Sequence, residues 1–360
     1  MRKVICTLIS TAMCFMFGSG IAAAQTDAQA VDLRNIKEWS MTSNAYGGKL
    51  ILSDSPETVP EDGILYEDTV KGDLRLFFHH VNGTEIPKKI VALLTNPSDK
   101  AIKVTIKRKG FAGPDMDYLR AGKAVQQQYY QPQETTEINI LPHTTVHLLP
   151  EMDKLKVRKD MLMHGMVDFY SDNPVTVTTM MMPLGTAAEK YILVSQPLAA
   201  DEWRLRGTFK GYERVLTPQK IYNPDKDGVV AVTLADHEVD RYVEGIDATD
   251  GSKTLNYGNY GITYRLSLIS EGKSTTNYWL NPQGGEYAGV LLLKYAQKTD
   301  MINTPRDKIC FAQGTVNNLQ NIATLTDKQV VWMEFSPPGA SNLPVKIIMS
   351  PKPIYHMYEK

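Results

Sequence analysis

Aromatic rings and side-chain amides crowd together between positions 256 and 287. Tyr257, Tyr260, Tyr264, Tyr278, Trp279 and Tyr287 stand there beside Asn256, Asn259, Asn277 and Asn281. Flat rings that pack on the C–H faces of a sugar, next to amides that bond its hydroxyls, are the groups with which a β-protein holds a glycan. Asn256, Tyr257, Asn259, Tyr260, Tyr278, Trp279, Asn281 and Tyr287 are therefore the candidate ligand-binding residues. Tyr264, inside the alternating run Thr263–Leu266, reads as core.

Three other groupings could hold a metal. In Asn223-Pro224-Asp225-Lys226-Asp227-Gly228 the oxygens fall at positions 1, 3 and 5 of a calcium loop, with glycine at 6. Leu234 stands at position 12, where an EF-hand needs glutamate, so Asp225 and Asp227 would be ligands of a different kind of calcium site, or only the start of a turn. No cofactor is expected, calcium being the alternative at this turn, and Asp247, Asp250 and Gly251 form a similar acidic turn. His79 and His80 are adjacent, so on a strand they face opposite sides and cannot share an ion without a bulge. His143 and His147 would share a face but lie about 13 Å apart. Met161, Met163 and Met166 around His164, with Met180-Met181-Met182, supply thioethers suited to Cu(I), but their strand-like flanks favour adaptable core packing. No Gly-x-Ser-x-Gly elbow, His-Glu-x-x-His pair or phosphate-binding glycine loop occurs.

The elements that must position these groups are strands. Ile102–Lys107, Glu137–Ile140, Thr145–Leu148 and Val175–Thr178 alternate apolar and polar residues, and so do segments at 229–234, 263–269, 290–293, 330–335 and 345–348. Asn96-Pro97, Asp227-Gly228, Asp250-Gly251, Asn281–Gly285 and Pro337-Pro338-Gly339 punctuate them. Gly113–Gly122 and Asn317–Leu325 are the only helical candidates. The expected fold class is all-β, two packed β-sandwich lobes after a cleaved signal peptide. Residues 1–24 form the signal, 25–44 a lead-in, 45–200 the first lobe, 201–350 the second lobe and 351–360 a tail.

The signal reading rests on Met1-Arg2-Lys3, the apolar run Val4–Phe17 and the small residues Ala22-Ala23-Ala24 before Gln25. Its apolar run is short for a permanent span, so no transmembrane anchor is expected after cleavage. Cys6 and Cys14 leave with it, and Cys310 remains as a thiol expected to be buried on a strand. Lysine and arginine total 39 against 40 acidic residues, a net charge of −1 with no footprint for nucleic acid.

Several strings carry a resemblance. Ser55–Val59, Gly63–Tyr66, Gly72–Asn82, Gly113–Tyr118, Arg206–Phe209, Asp247–Gly251, Gly258–Tyr264 and Asn281–Tyr287 together resemble an uncharacterised exported bacterial β-protein family. That family, also found in cyanobacteria, is built on a domain of unknown function, and some members are labelled copper-amine-oxidase-like through a separate stalk domain. The resemblance spans about residues 45 to 300 and implies an envelope location and β architecture. Neither the stalk pattern nor the quinone-forming Thr-x-x-Asn-Tyr-Asp/Glu motif occurs in this chain, so no reaction is implied.

The reading that asks least of these residues is an exported, non-catalytic cell-envelope protein that binds a cell-wall or surface glycan, or an envelope protein, in the periplasm, at the cell surface or outside the cell. The alternatives are an exported carbohydrate-active enzyme and a copper- or calcium-binding envelope protein.

Overall fold

Two strands set the architecture. Gly63–Asn82 and Leu162–Pro183 run antiparallel along most of their length, from Leu162 opposite Val81 to Met181 opposite Gly63. The structure, a computed structural model, describes residues 28–311, 316–326 and 328–357, so the expected signal segment lies outside it. The pairing slips between Ser171 and Val175 and again between Thr179 and Met180. Such irregularities bend a strand and let it pass from one leaf of a sandwich to the other. The first half of Leu162–Pro183 accordingly pairs with Ile102–Asp115, and the second half with Lys88–Thr95. Between the leaves lie Leu74, Leu76, Phe78, Val104, Val167, Phe169 and Met181, all buried. Met163, Met166, Met180 and Met182 are buried too. The methionines fill core.

The protein is all-β. A six-stranded and a five-stranded sheet form the second lobe beside the eleven-stranded sheet of the first. The lobes do not divide cleanly at residue 200, however. Met41–Tyr46 pairs with Glu213–Pro218, and Lys37–Glu38 pairs with Val230–Ala231, so this part of the lead-in is built into the second lobe. In return Arg206–Lys210 pairs with Lys49–Ser53 and carries Glu244–Ile246 and Lys253–Leu255 outward as an extension of the first lobe's sheet. Ile354–His356, expected in the tail, pairs in parallel with Gln29–Val31. Hydrogen-bonding partners lie far off in sequence, which the local pattern of 25–44 and 351–360 cannot show.

Two further expectations change. The helix runs Tyr118–Tyr129, capped by the Asp117 side chain on the Arg120 amide at 3.0 Å, because 113–115 are held in the strand Ile102–Asp115. Within Asn317–Leu325, Gln320–Leu325 is a strand paired with Thr276–Leu280. Cys310 is a half-buried free thiol. It precedes Phe311, whose amide bonds the Tyr287 carbonyl at 2.8 Å; the bridge at Phe311 does not extend to Cys310 as a strand.

One buried cation joins the lobes. Arg75, 1% exposed, donates from Nε and Nη2 to the two Asp168 oxygens at 2.6 and 2.9 Å. Its Nη1 reaches the Gly261 carbonyl at 2.9 Å and Thr263 Oγ1 at 2.8 Å in the second lobe. Tyr129 of the helix donates to Asp168 Oδ2 at 2.6 Å. Gln126 of the same helix donates to the Ser336 carbonyl at 2.6 Å and accepts from the Val290 amide at 2.7 Å. A pair this deep is costly to break, because the surviving charge keeps its desolvation penalty without its partner. Asp168→Asn is expected to lower the free energy of unfolding by about 3–5 kcal/mol, read from urea denaturation; a loss below about 1 kcal/mol would mean that Arg75 finds compensation elsewhere.

Candidate functional site

An open groove lies where the first lobe's sheet ends. Its last strands, Glu244–Ile246 and Lys253–Leu255, are joined by the acidic turn at Asp247–Gly251. That turn is held from inside. Arg206 Nε donates to Asp247 Oδ2 at 2.8 Å, its Nη2 to Thr249 Oγ1 at 2.8 Å and its Nη1 to the Leu198 carbonyl at 2.8 Å. Arg204 holds Asp250 at 2.6 Å. The acids that looked like cation ligands in sequence therefore face arginines.

The groove, about 640 Å³, is lined by this hairpin and by Trp203 and Tyr257. These rings are 66% and 46% exposed. Exposed Glu202, Lys210, Glu244 and Lys253 also line it. Tyr257 meets Tyr242 edge-on with ring centres 5.9 Å apart, and Tyr242 stacks on His237 at 4.5 Å. That support holds the Tyr257 ring up beside the groove.

Of the eight residues expected to bind a ligand, only Tyr257 is exposed on this surface. Asn256 closes its own loop, donating to the Tyr260 carbonyl at 2.8 Å and accepting from the Tyr260 amide at 2.9 Å. Asn259 bonds the Tyr264 hydroxyl at 2.7 Å. Tyr278, Asn281 and Tyr287 are fully buried, and Asn281 donates to the Asn318 carbonyl at 2.7 Å. Trp279 packs with Leu33, Ala231 and Ile348 and donates to Ser350 Oγ at 2.9 Å. Most of the amides and rings that suggested sugar recognition thus satisfy backbone or fill core. The calcium loop is corrected in the same way: Asp225 accepts from the amides of Lys273 and Ser274 at 2.8 and 3.1 Å, and Asp227 from Lys220 and the Asn223 amide at 2.5 and 2.8 Å. Among the described residues no group of three or more histidine, cysteine or acidic side chains is placed to hold a metal ion.

A second, more enclosed pocket of about 280 Å³ opens at the seam of the lobes. Asp54, Glu57, Phe77, His79, Tyr118, Leu205, Tyr260, Gly339, Ala340 and Asn342 line it. The loop bearing the acids is pinned by Asp201, which accepts from Ser55 Oγ at 2.8 Å and the Glu57 amide at 2.9 Å. Asp54 is 8% exposed and its Oδ1 is buried without a partner; His79 is 4% exposed with Nδ1 in the same condition. Burial pushes the Asp54 carboxyl well above the usual aspartate range, and Glu57 and Asp201 push it the same way. Glu57, at the mouth, is also raised, by thinning of the water around it and by Asp201. Tyr260 is the second sequence-chosen residue at a cavity, although its hydroxyl is taken by the Ser341 carbonyl at 2.8 Å.

The histidines divide as the strand period requires. His79 looks toward His164, its cross-strand partner, with ring centres 5.1 Å apart. His80 points the other way, its Nδ1–H donating to the Pro56 carbonyl at 2.9 Å, which leaves Nε2 to accept from Ser53 Oγ at 2.7 Å. This pairing has the form of a nucleophile and its base, but both side chains are sealed in the core. His164 donates from Nδ1 to the Phe78 carbonyl at 2.7 Å, and a Cβ at position 339 would stand 2.6 Å from its Nε2, so Gly339 is required for this approach.

Neither a family model nor a curated protein matches the sequence. Comparison with solved structures aligns the chain with one described as "The Substrate Binding Mode and Chemical Basis of a Reaction Specificity Switch in Oxalate Decarboxylase", at 9% identity over 89% of this chain and 80% of that one, with a TM-score of 0.13. It also aligns with the structure of vicilin from Capsicum annuum, at 8% identity over 74% and 72% of the two chains, with a TM-score of 0.11. At TM-scores this low neither neighbour informs the fold or the function.

Burial holds His80 and His164 down to about 4 and, with repulsion from His164 and His80, holds His79 well below its ordinary value. The unfolded chain takes up these protons near 6.5 and the folded chain only near 4, so stability is lost as pH falls through that window. The raised carboxyls of Asp54 and Glu57 act in the opposite sense, so the test is a difference: as pH is lowered through this window the urea midpoint of His80→Gln is expected to fall less than the parent's. The same pH dependence in both would contradict a neutral, buried His80.

Proposed function

We propose that the protein is an exported, non-catalytic cell-envelope protein that binds glycan along the Trp203–Tyr257 groove. The observation that carries this reading is the pair of exposed rings lining a groove that carboxylates and ammonium groups line as well. Rings supply surface for sugar C–H faces, and charged side chains bond hydroxyls without favouring a charged ligand of either sign. Export is supported by the basic start, apolar run and small residues of positions 1–24, and by the resemblance to exported β-proteins. Among the described residues no helix is long and apolar enough to cross a membrane.

The groove moves the proposed contact from Trp279, which is tied into the five-stranded sheet, to Trp203. Co-sedimentation with purified cell-wall sacculi tests it. The protein is expected to pellet saturably, and Trp203→Ala or Tyr257→Ala to weaken binding roughly fivefold, the worth of one stacked ring at about 1 kcal/mol. Trp279→Ala should leave the affinity of the folded protein unchanged while lowering its stability. Pelleting indifferent to both groove substitutions would place the contact elsewhere, and no saturable pelleting would remove wall glycan as the ligand.

A further inference from the structure

The seam pocket is not part of that groove, and its chemistry asks for a different ligand. Asp54 Oδ1 has no hydrogen-bond partner though buried, and a buried acceptor left unmet is a cost that native structures rarely keep without use. Nδ1 of His79, another lining residue, is also buried without a partner. Neither lysine nor arginine is among the lining residues, while two carboxyl side chains line the pocket and a third, Asp201, stands behind their loop. Burial, then Glu57 and Asp201, hold the proton on Asp54, and burial and Asp201 hold the one on Glu57, with no cation balancing either.

The remaining wall is aromatic. Phe77, Tyr118 and Tyr260 line the pocket. The hydroxyls of Tyr118 and Tyr260 are committed to the carbonyls of Asp160 and Ser341, both at 2.8 Å, so what these residues offer a ligand is ring surface. Acids with aromatic rings are the setting in which an organic cation is held, by ion pairing on one side and cation–π attraction on the other. A metal ion is the competing cation. It would need three converging ligands, and the described residues provide no such group. An anion would meet two carboxyl groups and no lysine or arginine, and a neutral hydroxyl would bond the carboxyl without supplying the charge that its ionised form lacks.

We infer that this pocket binds the ammonium group of a compact primary amine, with the Asp54 carboxylate as its ion-pair partner, Glu57 at the mouth and the rings of Phe77, Tyr118 and Tyr260 around it. Binding then drives a proton off the pocket, because the ammonium stabilises the ionised carboxyl. The titratable and charged groups around the Asp54 carboxyl are Glu57, Asp201, His79, His80, His164, Tyr118, Tyr260 and Arg206 behind the loop. The amine must be protonated and the carboxyl ionised, so affinity rises with pH through the raised carboxyl range and levels off below the pKa of the amine.

Isothermal titration of the full chain with methylammonium, ethanolamine and glucosamine tests this, run in two buffers of different ionisation heat so that released protons are counted. Saturable binding of at least one amine with proton release is expected. Asp54→Asn, which keeps the shape and removes the charge, should weaken it by about tenfold or more, while a urea midpoint at or above the parent's shows that the variant folds. Trp203→Ala should leave amine binding unchanged, which separates this site from the glycan groove. The inference is overturned by absence of saturable binding with all three amines, by binding undiminished in Asp54→Asn, or by preferential binding of Zn²⁺ or Ca²⁺ offered alone.

Discussion

The docking of the two lobes turns on one guanidinium. Arg75 lies opposite Asp168 in the pairing of the two long strands, and that strand pair alone would accommodate a simple cross-strand ion pair. What makes the residue central is where its other nitrogen goes. Nη1 bonds Gly261 and Thr263 of the second lobe, while Nη2 and the Asp168 carboxylate meet Tyr129 of the helix. Three parts of the chain share one flat, rigid set of donors. Apolar packing between the lobes, from Leu50, Leu52 and Phe77 to Tyr264 and Leu266, supplies most of the cohesion but little direction. The guanidinium supplies the direction, and a lysine in its place would offer one point charge where the structure uses a fork.

The groove and the seam pocket both follow from that arrangement. The exchange of strands across the lobes brings Arg206–Lys210 alongside Lys49–Ser53, and the hairpin that carries the groove is laid outward from it. The same exchange sets Leu205 and Tyr260 against Asp54 and Phe77. Arg206 anchors the groove from beneath much as Arg75 anchors the lobes. Each is a buried cation whose donors are taken by acids, carbonyls and hydroxyls.

What the sequence shows of this depends on whether a property is local. Strand alternation is local, so Ile102–Lys107, Glu137–Ile140 and the segment 345–348 are legible as strands. The opposite fates of His79 and His80 also follow from the two-residue period. Partner choice is not local, and so the boundary near residue 200 and the free tail are misread. The Asn256–Tyr287 cluster shows the limit for sites. Amides and rings have the same composition whether they cap a loop, as Asn256 does, or face solvent, as Tyr257 does. Trp203 could have been noticed, since it stands between Glu202 and Arg204 in a linker-like segment. The unpartnered state of Asp54 and His79 could not, because it is a property of what surrounds them and of nothing in their own positions.

The interleaving of the strands also governs the order in which the molecule can be completed. Gln29–Val31 has no mate until Ile354–His356 has been made, and Lys37–Glu38 must wait for Val230–Ala231. The first described strand is thus among the last to find its place, and contacts of such long sequence separation form slowly. The long strand pair and its neighbours need nothing beyond residue 183 and can form first. The terminal strands close last, so the fold is complete only when both of its ends are present.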